Sequence, residues 1–461
     1  MKKITGLYFL FVGIIISVCS CKKDSFIAGQ DAFIFTSDDT MHLGAIFTGN
    51  ASTTQAFKIF NPNDQKLRIS SINLAGGVNS SFKINVNGIP GFSFADIDIA
   101  ANDSIYVFVL ANIQQSNTSL PFLVQDSISI TWNSNTAYIQ LDAYGQNANY
   151  LRHATVTKDT TWNNDLPIVI LEPLTVNKNA TLNISKGAKI YCHANAQFAV
   201  NGTIKAIGDK EAENRIVFTG DRLDDPYSTY PDSWQGIIFT ETSKDNILNF
   251  VTIKNADKAI TVLHPAANSN PKLTITHSII DNNSSYGIKA INSSIIAVNC
   301  LISNCDSNIA LIAGGDYQFT HCTAASYSNL YLYHTSPVLT VSNTDENNQS
   351  YPLSASFINT IFWGEGGLID DEINILQQGN TAFNLSFQNV LYKGSPASNF
   401  TNSIQNSDPQ FLTIDIEKNI FDFHVQSTSP CIGAGINANV ADDLDGNPRS
   451  NVPDIGCYQQ Q

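Results

Sequence analysis

The chain has 461 residues, enough for two or three domains with sizeable cores, and 43% of them are apolar, which excludes a disordered chain. Only 14% are charged; Asn, Ser and Thr stand in their place, a balance that suits β-structure with polar turns better than long surface helices. A formal charge of -15 with only five arginines (Arg68, Arg152, Arg215, Arg222 and Arg449) excludes nucleic acid as an expected partner and leaves little to grip a polyanion.

Lys2 and Lys3 open the chain, and Leu7 to Val18 is a mostly apolar run, shorter than an ordinary spanning helix. Val18-Cys19-Ser20-Cys21 follows. It resembles a bacterial lipobox, and Cys21-Lys22-Lys23-Asp24 resembles the start of Bacteroidetes-type surface lipoproteins. The resemblance implies removal of residues 1–20 as a signal peptide and acylation of Cys21. It also implies an outer-membrane location, anchored by lipid and facing the cell exterior. Several acyl chains give a durable anchor where one does not. An ordinary secretory signal with two incidental cysteines is the plainer alternative. Cleavage leaves 23 basic against 40 acidic side chains, a formal -17. No second long apolar stretch follows, so no transmembrane span is expected.

Residues 21–27 read as a polar tether and 28–148 as a β-sandwich. Polar and apolar residues alternate in 56–60, 66–70, 81–86, 104–109 and 127–130, with turn residues such as Asn61-Pro62-Asn63-Asp64 and Asn87-Gly88 between the runs. The order Phe-x-Ile-x-Asn, Leu-x-Ile, Phe-x-Ile, Asn-Asp-Ser-Ile resembles ASH-like immunoglobulin-like domains, over about a quarter of the chain.

From about residue 150 the runs become short and apolar, with Asn-rich corners, and 150–394 reads as a right-handed parallel β-helix. The pieces from Leu174-Thr175-Val176 to Trp234-Gln235-Gly236-Ile237 resemble the opening rungs of pectin-lyase-like β-helix proteins. A repeat is visible without that resemblance. Segments 249–253, 276–280, 298–302, 320–324, 358–362 and 388–392 are alike, with centres 27, 22, 22, 38 and 30 residues apart. A 22-residue coil is one turn of such a solenoid, and the longer gaps hold insertions. About ten coils are expected. Cys300 and Cys322 then stack as small core side chains, with a disulfide or metal the alternative. His321 becomes a rung in a row with Asn299, Asn359 and Asn389. Asn255, Asn282 and Asn304 are expected to form an asparagine ladder at a corner.

Residues 395–461 are expected to cap the open end of the solenoid. Ser429-Pro430-Cys431, Asp443-Leu444-Asp445-Gly446-Asn447-Pro448-Arg449 and Asp454-Ile455-Gly456 resemble the tails of many β-helix surface proteins. Six cysteines remain past the anchor, and export permits disulfides. Cys431 and Cys457 are the expected pair, leaving Cys192, Cys300, Cys305 and Cys322. Arg449 is expected to pin the loop by pairing with Asp443, Asp445 or Asp454.

No catalytic residue is assigned. A polysaccharide lyase would need clustered carboxylates for calcium and an Arg or Lys base, and residues 248–392 contain no Arg. Asn343-Thr344-Asp345 and Asp370-Asp371 follow the order of a polygalacturonase, but that family's two later elements are missing. No metal site is assigned and no cofactor expected, a structural calcium at Asp442-Asp443-Leu444-Asp445 excepted. The insertion between Thr219 and Gly236 gathers Asp221, Asp224, Asp225, Tyr227, Tyr230, Asp232 and Trp234, a set that suits a polysaccharide: rings stack on sugar C–H faces and acids accept hydrogen bonds from hydroxyls. Against this, Trp234 would instead cap a coil and the acids be merely solvated. Non-catalytic glycan binding or adhesion at the cell surface is the leading expectation. A carbohydrate-active lyase or hydrolase is the competing class, and a structural envelope protein the third.

Overall fold

A computed structural model of the chain describes residues 25–116, 121–396 and 398–461. The leader and Cys21 lie outside the described residues. The chain is nearly all β: the helical pieces among the described residues are three short 3₁₀ turns. None is long and apolar enough to cross a membrane. Two compact units divide between Asn147 and Ala148.

The first unit is built from two five-stranded sheets over one apolar core. Phe57, Ile59, Phe82, Ile84, Val107 and Val109 come from one sheet, and Ile69, Ile72, Ile128, Ile130, Ile139 and Leu141 from the other. Each run buries alternate residues, as a strand with one wet face must. Strand pairing is antiparallel except where Thr40–Phe47 runs parallel to Asn135–Gln146 at a sheet edge; an isolated bridge from Phe26 to Lys66 is also parallel. Trp132 closes the core, its Nε1 donating to the Ala32 carbonyl at 2.8 Å.

The second unit is a stack of parallel rungs, an arrangement compatible with a β-helix. One ladder has eleven strands, from Asn149–Leu151 to Ile404–Gln405. A seventeen-stranded sheet holds two further ladders, which merge where Tyr286–Val298 and Ser307–Thr320 run through both. The pairing matches the repeat segments residue for residue: Ile279 stands over Leu301, Leu301 over Thr323, Thr323 over Ile361 and Ile361 over Leu391. One core runs through the coils, with Ile253, Ile280, Ile302, Ala324 and Phe362 stacked at one position. Toward its end Phe319, Phe357, Phe387 and Phe400 stack face to face, with ring centroids 5.3, 4.9 and 4.3 Å apart.

The corner before each of these strands explains the Asn and His residues. Phe250, His277, Asn299, His321, Asn359, Asn389 and Asn402 all have φ near +50°. This left-handed conformation is strained for most side chains and tolerated best by Asn, Asp and His. The next residue in four coils is Ser278, Cys300, Cys322 or Thr360, and each bonds the carbonyl two residues back. Cys300 and Cys322 are thus free, buried thiols at one position of adjacent coils.

Residues 395–461 are expected over the end of the stack, and 411–461 make up most of that segment. Instead their contacts run along its side. The hairpin Phe411–Asp415 with Ile420–Val425 and the following loops share a core with the outer face of the eleven-stranded ladder, where Leu301, Ala325, Ile361, Trp363 and Leu391 meet Phe411, Phe423, Leu444 and Ile455. Carbonyls of this segment then take three of the corner amides: Ala434 from Asn389, Ile436 from Asn359 and Asp442 from Asn299. The outward positions of these coils are apolar, so burying them outweighs covering one open edge.

Candidate functional site

The insertion between Thr219 and Gly236 stands beside a second corner of the coils. The asparagines there hold it: Asn255 Nδ2 donates to the Ser228 carbonyl at 2.9 Å, and Asn282 Nδ2 to the Thr229 carbonyl at 2.8 Å. Asn282 Nδ2 also reaches Asn255 Oδ1 at 2.8 Å, one rung of the expected ladder. Asn304 departs from it, its amide turning to Asp281 Oδ1 at 3.3 Å.

Within the insertion the seven expected residues separate. Trp234 is fully buried, its ring stacked near Phe218 with centroids 6.5 Å apart and its Nε1 bound to the Lys254 carbonyl. It is a core side chain and no part of a binding surface, because it has no exposed area. Asp221 faces His193 at 2.8 Å, and Asp224 holds Arg222 through two bonds of 2.8 Å. Asp225 accepts from Ser228 Oγ, and Asp232 occupies a left-handed turn. Arg222 in turn lies 4.0 Å over the Tyr227 ring.

The tyrosines do come together. Tyr227 and Tyr230 pack edge to face at 5.2 Å, and Tyr331 joins Tyr230 at 5.0 Å. The Tyr331 hydroxyl lies 3.2 Å from Thr229 Oγ1, which ties two insertions to each other. Tyr227 is 40% exposed. Tyr331 was missed in the sequence. Its signal was the 38-residue gap between the coils centred on Cys322 and Thr360, which had to hold an insertion.

The other singled-out residues serve loops. Asp345 accepts from the Asn347 and Gln349 backbones, and Asp371 from that of Ser395. His321 is buried, with Asn359 Nδ2 at 2.9 Å from its Nε2. Burial, together with the nearby Arg449 charge, pulls its pKa down to about 3 and keeps the ring neutral. In the aspartate run of the calcium expectation, Asp442 meets His277, Asp443 accepts the Asp445, Asn447 and Gln459 backbones, and Asp445 meets His424. Among the described residues no group of three or more His, Cys, Asp or Glu is placed to hold a metal ion.

Two expectations in the C-terminal segment are corrected. Cys431 and Cys457 are free thiols rather than a disulfide. Each packs as a small apolar residue, burial raises both thiols, and the loop closes through Ile455 N to the Cys431 carbonyl at 3.0 Å. Arg449 does pin the segment, but through the Asp442, Gly456 and Cys457 carbonyls and Asn299 Oδ1 at 2.7 Å, not through a carboxylate. His424 lies between Asp445 and Asp422 at 2.9 and 2.6 Å, stacked on Tyr458. Burial opposes its charge, but the two carboxylates prevail and raise its pKa to about 9.

No family model matches the chain. No curated protein matches it either. Solved structures match in part. One is a family 123 glycoside hydrolase from Clostridium perfringens, described for glycolipid glycan hydrolysis, at 12% identity and TM-score 0.18 over 25% of this chain. This chain spans about a quarter, 26%, of that enzyme. The ASH / PapD-like domain 7 of human CEP192 matches at 8% identity and TM-score 0.19, over 28% of this chain and 94% of the domain. The alkylpurine DNA glycosylase AlkC of Pseudomonas fluorescens, solved with abasic-site DNA, matches at 10% identity and TM-score 0.17, over 26% of this chain and 32% of the other. Similarities this weak carry no argument about activity.

Proposed function

We propose that this chain is a lipid-anchored protein of the outer-membrane surface, held by an acylated Cys21. An immunoglobulin-like spacer carries a right-handed parallel β-helix outward, and the β-helix binds glycans without cleaving them. The observation that supports this best is the meeting of Tyr227, Tyr230 and Tyr331 at the edge of two insertions, on a rigid stack. Aromatic faces held on a firm scaffold stack on sugar rings at little entropic cost. The acids near them are engaged by His193, Arg222 and Ser228, so the surface offers hydrogen-bonding groups around the rings rather than two carboxylates poised across a bond.

The test is retention on insoluble polysaccharides. Wild type is expected to stay bound to at least one, and the Tyr227→Ala/Tyr230→Ala double variant to elute early with an unchanged melting temperature. Equal retention of the two proteins refutes the tyrosine surface.

A further inference from the structure

A cavity of about 440 Å³ opens where two strands of the eleven-stranded ladder end beside the start of the C-terminal hairpin. It lies within the roughly 300–1,000 Å³ of small-molecule sites. Thr323–Tyr327 and Ile361–Glu365 pair in parallel, so Ala325 stands beside Trp363 and Tyr327 beside Glu365. Strand alternation turns these four outward. Tyr327, Trp363 and Glu365 line the cavity from the ladder, and Phe411 lines it from the hairpin.

Two carboxylates, Glu365 and Asp408, reach this cavity, and no basic side chain of the described residues lines it. Glu365 is exposed and makes no ion pair among the described residues, and Asp408 accepts only the Gln410 backbone, at 2.7 Å. Lys393 lies 5.9 Å over the Trp363 ring, but its ammonium donates to the Gly364 carbonyl at 2.7 Å and does not line the cavity.

Surface acids are ordinarily just solvated, and Tyr327 sets this place apart. It is only 8% exposed, and its hydroxyl has no hydrogen-bond partner among the described residues. Trp363 Nε1 lies near it without completing a bond; that nitrogen is sealed from solvent, whereas the Tyr327 oxygen is not. Burial raises the Tyr327 hydroxyl, and the Glu365 and Asp408 charges add to the rise, so it stays protonated with its lone pairs free. A buried phenol oxygen open to a cavity calls for a partner there.

A bare divalent ion would find two carboxylates and a neutral phenol, too few hard ligands for a site of its own. An organic ammonium matches the charge, and its carbon frame the aromatic lining. Gln410 Oε1 accepts from Thr428, and Gln426 Nε2 donates to the Phe411 carbonyl. Gln410 Nε2 and Gln426 Oε1 are left for the hydroxyls of a ligand. A sugar bearing an amine offers the charge and the hydroxyls together; a polyamine offers no oxygen.

We propose that this cavity binds an amino sugar of a glycan, one whose nitrogen carries no acyl group, with the ammonium between Glu365 and Asp408 and donating to the Tyr327 oxygen. This rests on the glycan-binding reading and names a class of sugar for it.

The experiment is calorimetric titration of the full chain at about pH 6, where the carboxylates are ionised and the amine protonated. The probes are a glucosamine disaccharide with free amines, its N-acetylated counterpart and spermidine. Wild type is expected to bind the free-amine sugar, and the N-acetylated one at least about tenfold more weakly, because acylation removes the charge. Glu365→Gln/Asp408→Asn keeps the oxygen bonded to the Gln410 backbone. It is expected to lose at least about tenfold in affinity for the free-amine sugar at an unchanged melting temperature. Tyr327→Phe keeps the ring, removes only the hydroxyl, and is expected to lose at least about threefold. Equal binding of the two sugars, spermidine binding as tight as the sugar, or variants that match wild type each overturn the proposal. If the double variant does not fold, Tyr327→Phe decides alone. Failure to bind the amino sugar while wild type is retained on a polysaccharide overturns the cavity and spares the glycan reading; failure at both overturns both.

Discussion

At the residue scale, the corner row shows how one conformation selects chemistry. Asn299, His321, Asn359 and Asn389 share φ near +50° in successive coils, and their side chains bond outward to the C-terminal segment or to each other. A histidine in such a row makes stability depend on acid. The pKa of His321 is about 3 when folded and about 6.5 when unfolded, so the unfolded chain binds the extra proton between those values. Stability therefore falls as pH drops from about 6.5 toward 3, by up to about 1.4 kcal/mol per pH unit. Chemical denaturation at pH 7 and pH 4.5 is expected to show a smaller loss for His321→Asn than for wild type, since Asn already serves the equivalent corners; an equal loss would remove His321 as the cause. Truncating Trp234 to Ala is expected to cost about 3–5 kcal/mol, because it removes a fully buried indole from the core. A thiol count in denaturant without reductant is expected to give six for the chain beyond Cys21, and four would restore the Cys431–Cys457 bridge.

At the scale of elements, the segment 411–461 acts as a clasp along the coils. Arg449, His424 and the corner amides tie it down, and its apolar residues cover the outward positions of the ladder. His424 is raised to about 9, above its unfolded value, so its contribution is complete below about pH 6.5 and is lost as pH rises through 9. Amide hydrogen exchange in 411–461, corrected for intrinsic rate, is expected to lose protection between pH 7 and 9.5 in wild type and to change less in His424→Gln. Unchanged protection would show that the clasp does not depend on that charge. Much of the element scale was legible in the sequence. The repeat centres set the stacking register, because a parallel coil pairs like positions with like. The clasp was not legible: its apolar residues sit among turn signals, and their partners lie far off in the chain, Tyr327 standing 84 to 96 positions before Phe411, Phe421 and Phe423.

At the scale of the whole molecule, the proposed function assigns anchoring, spacing and binding to the lipobox-like N-terminal sequence and the two units. Substituting Cys21 by Ala is expected to move the protein from the membrane fraction to the soluble one; continued membrane retention would argue against acylation. The proposed binding surface was half legible. The insertion carrying Tyr227 and Tyr230 was visible as a break in the repeat, but Tyr331 reaches it from another coil. Pairings of that kind exist only after folding. Trp234 misled for a related reason: composition cannot tell a ring that faces a sugar from one that fills a core.

The central claim, binding without turnover, is tested most directly by injecting a retained polysaccharide, in soluble form, into a calorimeter cell holding the wild-type chain. Discrete heats that saturate and then cease are the predicted result. A steady heat that continues until the polymer is consumed would contradict it and make the chain an enzyme.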